Sequence, residues 1–401
     1  MDDELGRVLQ GIRVVELAVW VAGPSAAGIL ADWGADVVKV EAPGGDPQRT
    51  IYAAMGYNAD LPNPGFALDN RGKRSIELDL KSEPGREVME RLLEGADVFV
   101  TNIRPDGLAR LGLDHQAVLE RHPRLVYGAI TGYGLEGPEA WRPGYDVGAF
   151  WARAGLARDM MPKGRAPVAL RMGLGDHLTG LTAVAGVCGA LLARERTGEG
   201  RLVEMSLLRT GMYALSWPLV TQMNFGRLES ARERTDVRTP LVNSYRTADE
   251  RWFWLIGVEA DRHWPTVLAA IDRPDLGHDE RFASARSRRE HADALIAELD
   301  EVFATLTLTE WAERFDANGV WWAPANTPQE VLEDPQAHAA HGFVDIPTST
   351  GETIASVNSP VSFGGHPVPE PRPVPAVGEH TAEILSELGY SEAEIADLHP
   401  S

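Results

Sequence analysis

The sequence lacks several features that would place it in common classes of protein. Among its 401 residues there is one cysteine, Cys188, so no disulfide can form within the chain. The 38 basic residues against 59 acidic ones give a net charge of −21, which argues against a nucleic-acid-binding protein. No apolar run reaches membrane-spanning length, and Met1-Asp2-Asp3-Glu4 lacks the basic region of a signal peptide. We therefore expect a cytoplasmic protein with neither nucleic-acid nor membrane partners.

The patterns that are present predict an α/β fold. A strand at 12–18, a helix at 25–33 and a strand at 36–41 form a βαβ opening, which is typical of a parallel sheet covered by helices. No G-x-G-x-x-G motif follows the first strand, so dinucleotide binding has little support. The alternation continues with predicted helices at 83–93, 115–121 and 212–223 and predicted strands at 97–101, 125–130 and 203–205.

Composition changes near Phe225, and a smaller α+β domain is predicted after it. A hairpin-like pair of strands at 243–247 and 252–258 turns at Ala248-Asp249-Glu250. Helices are predicted near 264–271, 287–303 and 309–318, and again at 381–388 and 392–398. The 364–375 stretch is rich in proline and is expected to be extended.

One glycine-rich stretch, 171–180, delivers a single carboxylate to the start of a long apolar helix. That helix is predicted from about His177 to Arg194 and, being apolar nearly all round, is expected to be buried. Asp176 at its start is open to two interpretations, an N-cap or a nucleophile. The glycines at 173, 175 and 180 favour the nucleophile, because they would let a substrate carbonyl approach closely.

Motifs across nearly the whole chain carry a family resemblance. They lie at 11–17, 22–24, 30–41, 70–79, 97–104, 108–112, 132–134, 197–200, 378–381 and 384–389. In this order they resemble the class III (family III) CoA-transferases, which share a fold with formyl-CoA transferase, carnitine CoA-transferase and α-methylacyl-CoA racemase. The match is weakest from about 226 to 330.

The resemblance implies a fold, an activity and a nucleophile. It implies a Rossmann-like large domain over 1–225, a small α+β domain over 226–330 and a segment over 331–401 that returns to the large domain, in an interlocked homodimer. Asp176 matches the nucleophilic aspartate of the transferases. The expected activity is transfer of CoA from an acyl-CoA donor to a carboxylic acid acceptor, through an aspartyl anhydride and an aspartyl-CoA thioester. Backbone N–H groups after Asp176 are the expected oxyanion donors, and no metal or tightly bound cofactor is expected.

The resemblance also implies a CoA-binding set, with CoA or acyl-CoA bound as substrate. Val19, Trp20, Val21 and Ala22 match the turn that receives the pantetheine end, and Lys73 and Arg74 match the basic nucleotide pocket. Asn102, Ile103 and Arg110 match the segment beside the adenosine and phosphates, and Tyr133 matches a tyrosine near the thiol arm. The formyl-CoA branch has a glutamine at the position of Val21, an arginine at Ala42 and a lysine at Thr131. We expect Arg49 or Arg104 to replace the missing phosphate contacts. The five tryptophans that would permit a larger apolar acyl group are Trp20, Trp151, Trp217, Trp252 and Trp254.

Two further hypotheses remain open. An acyl-CoA racemase or epimerase needs two acid/base groups, and that branch has a histidine where Tyr145 stands. Asp146, which is alternatively a helix cap, and His177, which is alternatively a solvated or core histidine, are the candidates for such groups. The remaining hypothesis is a CoA-binding protein without turnover.

Overall fold

The computed structural model describes residues 7–58, 62–226, 231–348, 351–364 and 371–398. The backbone separates into two units. The first consists of Met1–Arg158, Val168–Leu228 and His338–Ser401, and the second of Asp159–Pro167 and Glu229–Ala337. The described residues from His338 onward thus belong to the first unit.

A six-stranded parallel sheet forms the centre of the first unit, which confirms the α/β prediction. Its strands are β1 (Arg13–Leu17), β2 (Asp36–Glu41), β3 (Arg74–Glu77), β4 (Val98–Thr101), β5 (Val126–Thr131) and β6 (Arg201–Ser206). They are ordered β3-β2-β1-β4-β5-β6, so the connections run in opposite directions on the two sides of β1. Sheets of this kind bind ligands at the carboxyl ends of their strands, where the order reverses. The expected site is therefore beside the ends of β1 and β4.

Helices cover both faces of this sheet. Their bounds are α1 (Ala22–Asp32), α2 (Ile51–Ala54), α3 (Pro64–Asn70), α4 (Glu83–Glu94), α5 (Pro105–Arg110), α6 (His115–Arg121), α7 (Leu156–Asp159), α8 (Leu174–Thr197), α9 (Leu207–Ala214) and α10 (Ser216–Phe225). Several begin at short polar side chains: Asn63, Ser82 and Asp114 accept the N–H group three residues ahead at 2.8, 3.0 and 3.0 Å. Such caps satisfy one of the unpaired donors at a helix start.

Alternate residues of each strand feed two separate apolar clusters. In β4, Val98 and Val100 join the cluster under α1 and α8, whereas Phe99 joins the cluster under α4 and α6. Both faces of the sheet are therefore buried, which explains why its central strands read as continuous apolar runs.

Helix α8 is buried on one side only, so the prediction of a fully buried helix was wrong. Its inner side packs on α1 and on β5 and β6. Leu178 and Leu192 on the other side are 39 % and 59 % exposed. By length and composition the helix could also cross a membrane, which corrects the expectation that no apolar segment reaches that length. Its packing on the sheet is that of a core helix in a globular domain.

The second unit has its own sheet and core. The antiparallel strands β7 (Val242–Arg246), β8 (Trp252–Ile256) and β9 (Trp322–Pro324) pair in that order, so the predicted hairpin gains a third strand. Phe253, Phe303 and Phe315 are fully buried against one another. Its helices are α11 (Ala260–Ile271), α12 (Pro274–His278), α13 (Ala285–Glu290), α14 (Ala292–Phe303), α15 (Leu308–Asn318) and α16 (Pro328–Glu333), and α17 (Pro335–Ala339) follows.

The C-terminal segment docks on the first unit along β3. It contributes the antiparallel pair β10 (Phe343–Pro347) and β11 (Thr353–Val357), followed by α18 (Thr381–Glu387) and α19 (Glu392–Leu398). The N–H group of Gly72 donates to the carbonyl of Pro373 at 3.1 Å, and His380 N–H donates to the carbonyl of Ser75 at 2.9 Å. Half of the stretch 364–375 that was predicted to be extended, residues 365–370, lies outside the described residues.

Candidate active site

A cavity of about 710 Å³ opens at the carboxyl ends of the strands, at the reversal of the sheet order. Residues 19–22 after β1, segment 102–110 after β4 and residues 130–132 at the end of β5 form three of its sides. Residues 143–145, Leu207 and Asp176 complete the lining. The cavity thus joins the nucleophile predicted from the sequence with most of the predicted CoA-binding turn.

The turn after β1 is fixed by hydrogen bonds from outside it. The side chain of Asn102 pairs with the backbone of Val19 in both directions, accepting its N–H at 3.0 Å and donating to its carbonyl at 2.7 Å. Trp20 has a positive φ of 65°, which is unusual for a residue with a side chain, and its N–H donates to Asp46 at 3.1 Å. A Cβ built on Gly23 would lie 2.5 Å from that of Ala18, so the turn closes too tightly for any other residue there.

A buried ion cluster lies behind this turn. Lys39 donates to Glu16 and Asp46, both at 2.9 Å, and to the carbonyl of Ala18 at 3.2 Å. Lys73 lies 2.6 Å from the second oxygen of Glu16, and the side chains of all four residues are fully buried. Burial alone would raise the pKa of Glu16, but the two lysines outweigh it and lower that pKa. We refer to Glu16, Lys39, Asp46 and Lys73 as the ion cluster.

Asp176 is the third residue of α8, not its cap, so the N-cap interpretation was wrong. The helix begins after Gly173, which has a left-handed backbone. Among the described residues, the Asp176 carboxylate accepts no hydrogen bond and forms no ion pair. Burial raises its pKa from 3.8 to about 7, the negative charges of Asp146 and Asp69 add to this, and His177 opposes it. A partly buried carboxylate with a raised pKa and no hydrogen-bond partner, at the wall of a cavity, is typical of a reactive group.

The glycines around Asp176 serve packing and backbone conformation. A Cβ on Gly175 would lie 2.6 Å from the ring of Phe150, and one on Gly180 would lie 2.2 Å from the hydroxyl of Ser25. Gly173 is needed for its positive φ of 85°. The interpretation that these glycines clear a path for a substrate was therefore wrong for Gly175 and Gly180. They let α8 approach its neighbours, and this fixes the position of Asp176.

Asp146 and His177 are both engaged with other groups. Asp146 accepts the N–H of Val147 at 2.7 Å, at the start of a π-helix over Val147–Arg153, and the N–H of Gly173 at 3.1 Å. It thus has the predicted cap role and also holds the start of α8. His177 Nε2 lies 3.0 Å from the buried carboxylate of Asp69. Burial by itself favours the neutral imidazole, but Asp69 reverses this and raises the pKa of His177.

The backbone donors near Asp176 differ from those expected. The N–H of His177, directly after Asp176, donates to the carbonyl of Gly173 at 2.8 Å and is already used. In the described part of the chain, the N–H groups of Gly175 and Asp176 itself have no acceptor, as is usual in the first turn of a helix. The expectation of donors after Asp176 is corrected accordingly.

The cavity brings together eight of the eleven predicted site residues. Besides Asp176 these are Val19, Trp20, Val21, Ala22, Asn102, Ile103 and Arg110. Thr131 lines the cavity too, whereas Ala42 does not. Of the two arginines considered as substitutes for the missing phosphate contacts, Arg104 lines the cavity. Arg49 is bound to Glu41 at 2.6 and 2.8 Å, so it is engaged elsewhere.

Three predicted site residues lie elsewhere in the structure. Lys73 is buried in the ion cluster and donates to the carbonyl of Pro24 at 2.8 Å, so it cannot reach a phosphate. Arg74 pairs with Asp36 at 2.7 Å on β2, at the amino ends of the strands. Tyr133 lies behind Gly144, whose Cβ would be 3.0 Å from its ring. A positive charge in a recognised motif was misleading for Lys73 and Arg74, because their acidic partners lie far away in the sequence.

The cavity also contains residues that were not predicted. Ile130, Pro143, Tyr145 and Leu207 line it, and of the five tryptophans noted in the sequence only Trp20 does so among the described residues. Ile130 lies at the end of β5 and Leu207 at the start of α9, whereas Pro143 and Tyr145 lie in a loop that no periodic pattern indicates. The ion cluster had one visible signal: Lys39 interrupts the apolar strand Val38-Lys39-Val40, where a buried charge needs a partner.

Comparisons with known proteins agree with this geometry. The sequence profile of CoA-transferase family III matches residues 9–381. The chain is 35 % identical to a cinnamoyl-CoA:phenyllactate CoA-transferase of Clostridium sporogenes, over 98 % of this chain and 96 % of the relative. It is 33 % identical to an (R)-2-hydroxy-4-methylpentanoate CoA-transferase of Clostridioides difficile, over 98 % of each. A solved CAIB/BAIF family protein from Brucella suis superposes with a TM-score of 0.82 at 30 % identity, covering 95 % of this chain and 99 % of the other.

Proposed function

The chain belongs to CoA-transferase family III and is a CoA-transferase, and from this premise we propose that it transfers CoA between two carboxylic acids through covalent intermediates on Asp176. One observation carries the proposal: a partly buried carboxylate with no hydrogen-bond partner in the described structure lies on the wall of a cavity at the sheet reversal. Carboxylate nucleophiles allow one difficult acyl transfer to be split into two easier steps.

The proposed steps balance without any further reactant. The Asp176 carboxylate attacks the thioester carbonyl of the donor, expels CoA thiolate and forms a mixed anhydride. The thiolate then attacks the aspartyl carbonyl, which gives an aspartyl-CoA thioester and releases the donor acid. The acceptor carboxylate attacks that thioester and forms a second anhydride, and the thiolate attacks its acyl carbonyl to release the new acyl-CoA and free Asp176.

The unpaired backbone N–H groups of Gly175 and Asp176 are the best candidates for stabilising negative charge in these steps. They lie in the first turn of α8, where the helix dipole adds to their effect. Because both covalent intermediates hydrolyse readily, the cavity must also limit the access of water during turnover.

CoA is proposed to bind within the first unit, as a substrate and not as a tightly bound cofactor. The pantetheine arm would lie along the turn at 19–22 and beside Asn102 and Ile103. Arg104 and Arg110 are both exposed at the cavity, and guanidinium groups suit phosphates, so they are assigned to the phosphates of CoA. The relatives are named for cinnamoyl-CoA, phenyllactate and a branched hydroxy acid, so carboxylic acids of these kinds are reasonable first substrates.

A homodimer, interlocked as in the family, is part of the proposal. Helices α9 and α10 expose a continuous apolar surface on which Tyr213 and Trp217 are each 83 % exposed. Met212, Met223 and Phe225 extend it, which is more than an isolated chain would leave to water. A native mass of twice 43.7 kDa is expected, and Trp217→Glu should shift the protein toward a single chain. A native mass of one chain for the unmodified protein would remove this part of the proposal. We also propose a cytoplasmic location for the protein.

The central experiment is intact-mass measurement after incubation with acyl-CoA in the absence of an acceptor acid. An adduct that maps to Asp176 and is released by hydroxylamine is expected. The same protein should catalyse exchange of CoA between an acyl-CoA and its isotopically labelled free acid. Absence of exchange with every acyl-CoA tried would contradict the proposal and leave a protein that only binds CoA.

The racemase alternative has a separate signature. It predicts deuterium uptake at the alpha carbon in heavy water when no acceptor acid is present. Neither of its candidate groups is free, because Asp146 accepts two backbone N–H groups and His177 is bound to Asp69. We therefore expect no uptake above the uncatalysed rate.

A further inference from the structure

The lining of the cavity is chemically divided. Segment 102–110 is polar and provides Arg104 and Arg110, the only basic residues of the lining within the described chain. The residues that share the rest of the lining with Asp176 are mostly apolar: Trp20, Val21, Ile130, Pro143, Tyr145 and Leu207. Since the two arginines are assigned to the phosphates of CoA, no cation remains for a second carboxylate on the acyl group.

Val21 lies close to the loop that carries the nucleophile. A Cβ built on Gly173, the residue before α8, would be 3.9 Å from Cγ1 of Val21. Val21 therefore lies beside the start of α8 and lines the same cavity as Asp176. Methyl groups offer neither a hydrogen bond nor a charge, so a polar acyl substituent would lose its water without compensation.

Trp20 and Tyr145 form an aromatic pair on the same lining. Their ring centroids are 6.5 Å apart and the rings are nearly perpendicular, at 84°. Edge-to-face packing is a preferred arrangement of two rings, and aromatic side chains gain stability when their large apolar surfaces are covered. We refer to these two residues as the aromatic pair.

Each member of the aromatic pair is held by its backbone. The strained backbone of Trp20 is maintained by its N–H bond to Asp46, which the ion cluster fixes in turn. A Cβ on Gly132 would lie 2.9 Å from the Cα of Gly144, so the loop before Tyr145 is pressed against the end of β5. The Tyr145 carbonyl accepts the N–H groups of Gly148 and Ala149 at 3.0 and 2.9 Å.

The ring of Tyr145 itself is nevertheless 62 % exposed. A rigidly mounted aromatic ring that remains uncovered at a cavity has surface available for a ligand. The adjacent Asp146 bonds to the N–H of Gly173, so this ring and the start of α8 are positioned by one connected structure.

From this geometry we infer that the enzyme acts on large apolar acyl groups, aromatic or branched, and that the aromatic pair selects them. The inference rests on the proposed CoA transfer and specifies its substrate class. An aromatic or branched chain covers the exposed ring of Tyr145 and the side chains around it. A short dicarboxylate instead places its distal charge against rings and methyl groups, which is unfavourable without a counter-ion.

The test measures identity exchange, in which each acyl-CoA is paired with its own labelled free acid, so that no unknown partner is needed. The donors are 3-phenylpropanoyl-CoA, 4-methylpentanoyl-CoA, acetyl-CoA and succinyl-CoA. The first two should exceed the last two in kcat/KM by at least about tenfold, since an apolar pocket discriminates by roughly 10- to 200-fold per group. A preference for succinyl-CoA or acetyl-CoA would overturn the inference and leave CoA transfer intact. Exchange with none of the four would instead contradict the proposed function.

Variants of the aromatic pair test its role directly. Tyr145→Ala should lower kcat/KM for 3-phenylpropanoyl-CoA about tenfold while acetyl-CoA changes less than about threefold. Tyr145→Phe keeps the ring and should retain the preference. Tyr57→Ala is the matched control, because Tyr57 is equally exposed at 61 % but does not line the cavity. An equal loss for both donors in the folded Tyr145→Ala protein would show a purely structural role and overturn the selection by this residue.

Discussion

The ion cluster and Asp176 both place charge near the turn at 19–22. They differ in that the charges of the cluster are paired with one another and the charge of Asp176 is not. In the cluster, every acidic side chain has a lysine within 2.9 Å. Asp176 has no such partner, although it is also largely removed from water. The cluster holds the turn through Ala18 and Trp20, and Asp176 lies across the cavity lined by that turn.

The two carboxylates with opposite pKa shifts show what pairing does. Burial acts on both in the same direction, raising the pKa, yet the pKa of Glu16 is lowered and that of Asp176 is raised to about 7. The difference lies in the neighbours: Lys39 and Lys73 lower the pKa of Glu16, whereas Asp146 and Asp69 add to the effect of burial on Asp176. The paired charges of the ion cluster stabilise the structure of the turn. The unpaired carboxylate of Asp176 remains available to react.

The largest expected effect comes from removing the unpaired charge. Asp176→Ala or Asp176→Asn should lower CoA exchange by at least about 10³-fold, because no covalent intermediate can form. Binding of CoA, measured by calorimetry, should stay within about threefold of the unmodified protein. Near-normal exchange in either variant would contradict a catalytic role for Asp176, which would then be only an unpaired charge.

The next largest effect comes from breaking the paired set. Lys39→Met leaves Glu16 and Asp46 buried without their shared cation, so the free energy of unfolding should fall by about 3–5 kcal/mol. Urea denaturation measures this, and Lys81→Met is a matched control at an exposed position, with a change within about 0.5 kcal/mol. A loss no greater than that of the control would mean that the cluster does not hold the turn.

These two regions also show how far sequence reasoning reaches. The strands around Val98-Phe99-Val100 and the helix after Asp176 were predictable, because long apolar runs leave few other structures. Strand β3 was missed, since Arg74-Ser75-Ile76-Glu77 has a single large apolar side chain and is stabilised by its neighbours in the sheet. The nucleophile came from a family resemblance and not from periodicity.

The remaining parts of the site depend on contacts between distant residues. Lys73 resembles a phosphate ligand until its partner Glu16, 57 residues earlier, is known. Tyr145 faces the cavity because Gly132 and Gly144 touch, and no local pattern predicts that contact. The exposed side of α8 is equally invisible in a sequence, because an exposed apolar helix face has the same composition as a buried one.

A smaller effect is expected in the pH dependence of the free energy of unfolding, where the paired and unpaired carboxylates should differ in sign. Well below its ordinary pKa of 3.8, the Asp176 carboxyl is protonated in both the folded and the unfolded chain and does not change the free energy of unfolding. As the pH rises through the folded pKa of about 7, the stability that the proton provides is lost. Relative to Asp176→Asn, the unmodified protein should therefore lose on the order of 2 kcal/mol between pH 4.5 and 8, less than the full linkage value because the carboxylate is partly solvated.

Glu16→Gln should show the opposite sign, since the lowered pKa of Glu16 stabilises the fold at neutral pH. A constant difference between the unmodified protein and Asp176→Asn in urea denaturation across this range would contradict the raised pKa of Asp176.

The smallest expected effect concerns His177, the cationic group that acts on Asp176 in the described part of the chain. Exchange requires the ionised carboxylate, so kcat/KM should rise with pH through about 7. The charge of His177, which Asp69 stabilises, holds the pKa of Asp176 below the value that burial and Asp146 would otherwise produce. His177→Gln should therefore move the profile to higher pH, giving roughly threefold slower exchange at pH 6.5 and little change at pH 8.5.

His122→Gln is the matched control, because His122 contacts Glu90 at 2.9 Å in the same kind of pair but outside the cavity. A loss in His177→Gln that is equal at both pH values would mean that His177 positions the helix start without acting on the charge of Asp176.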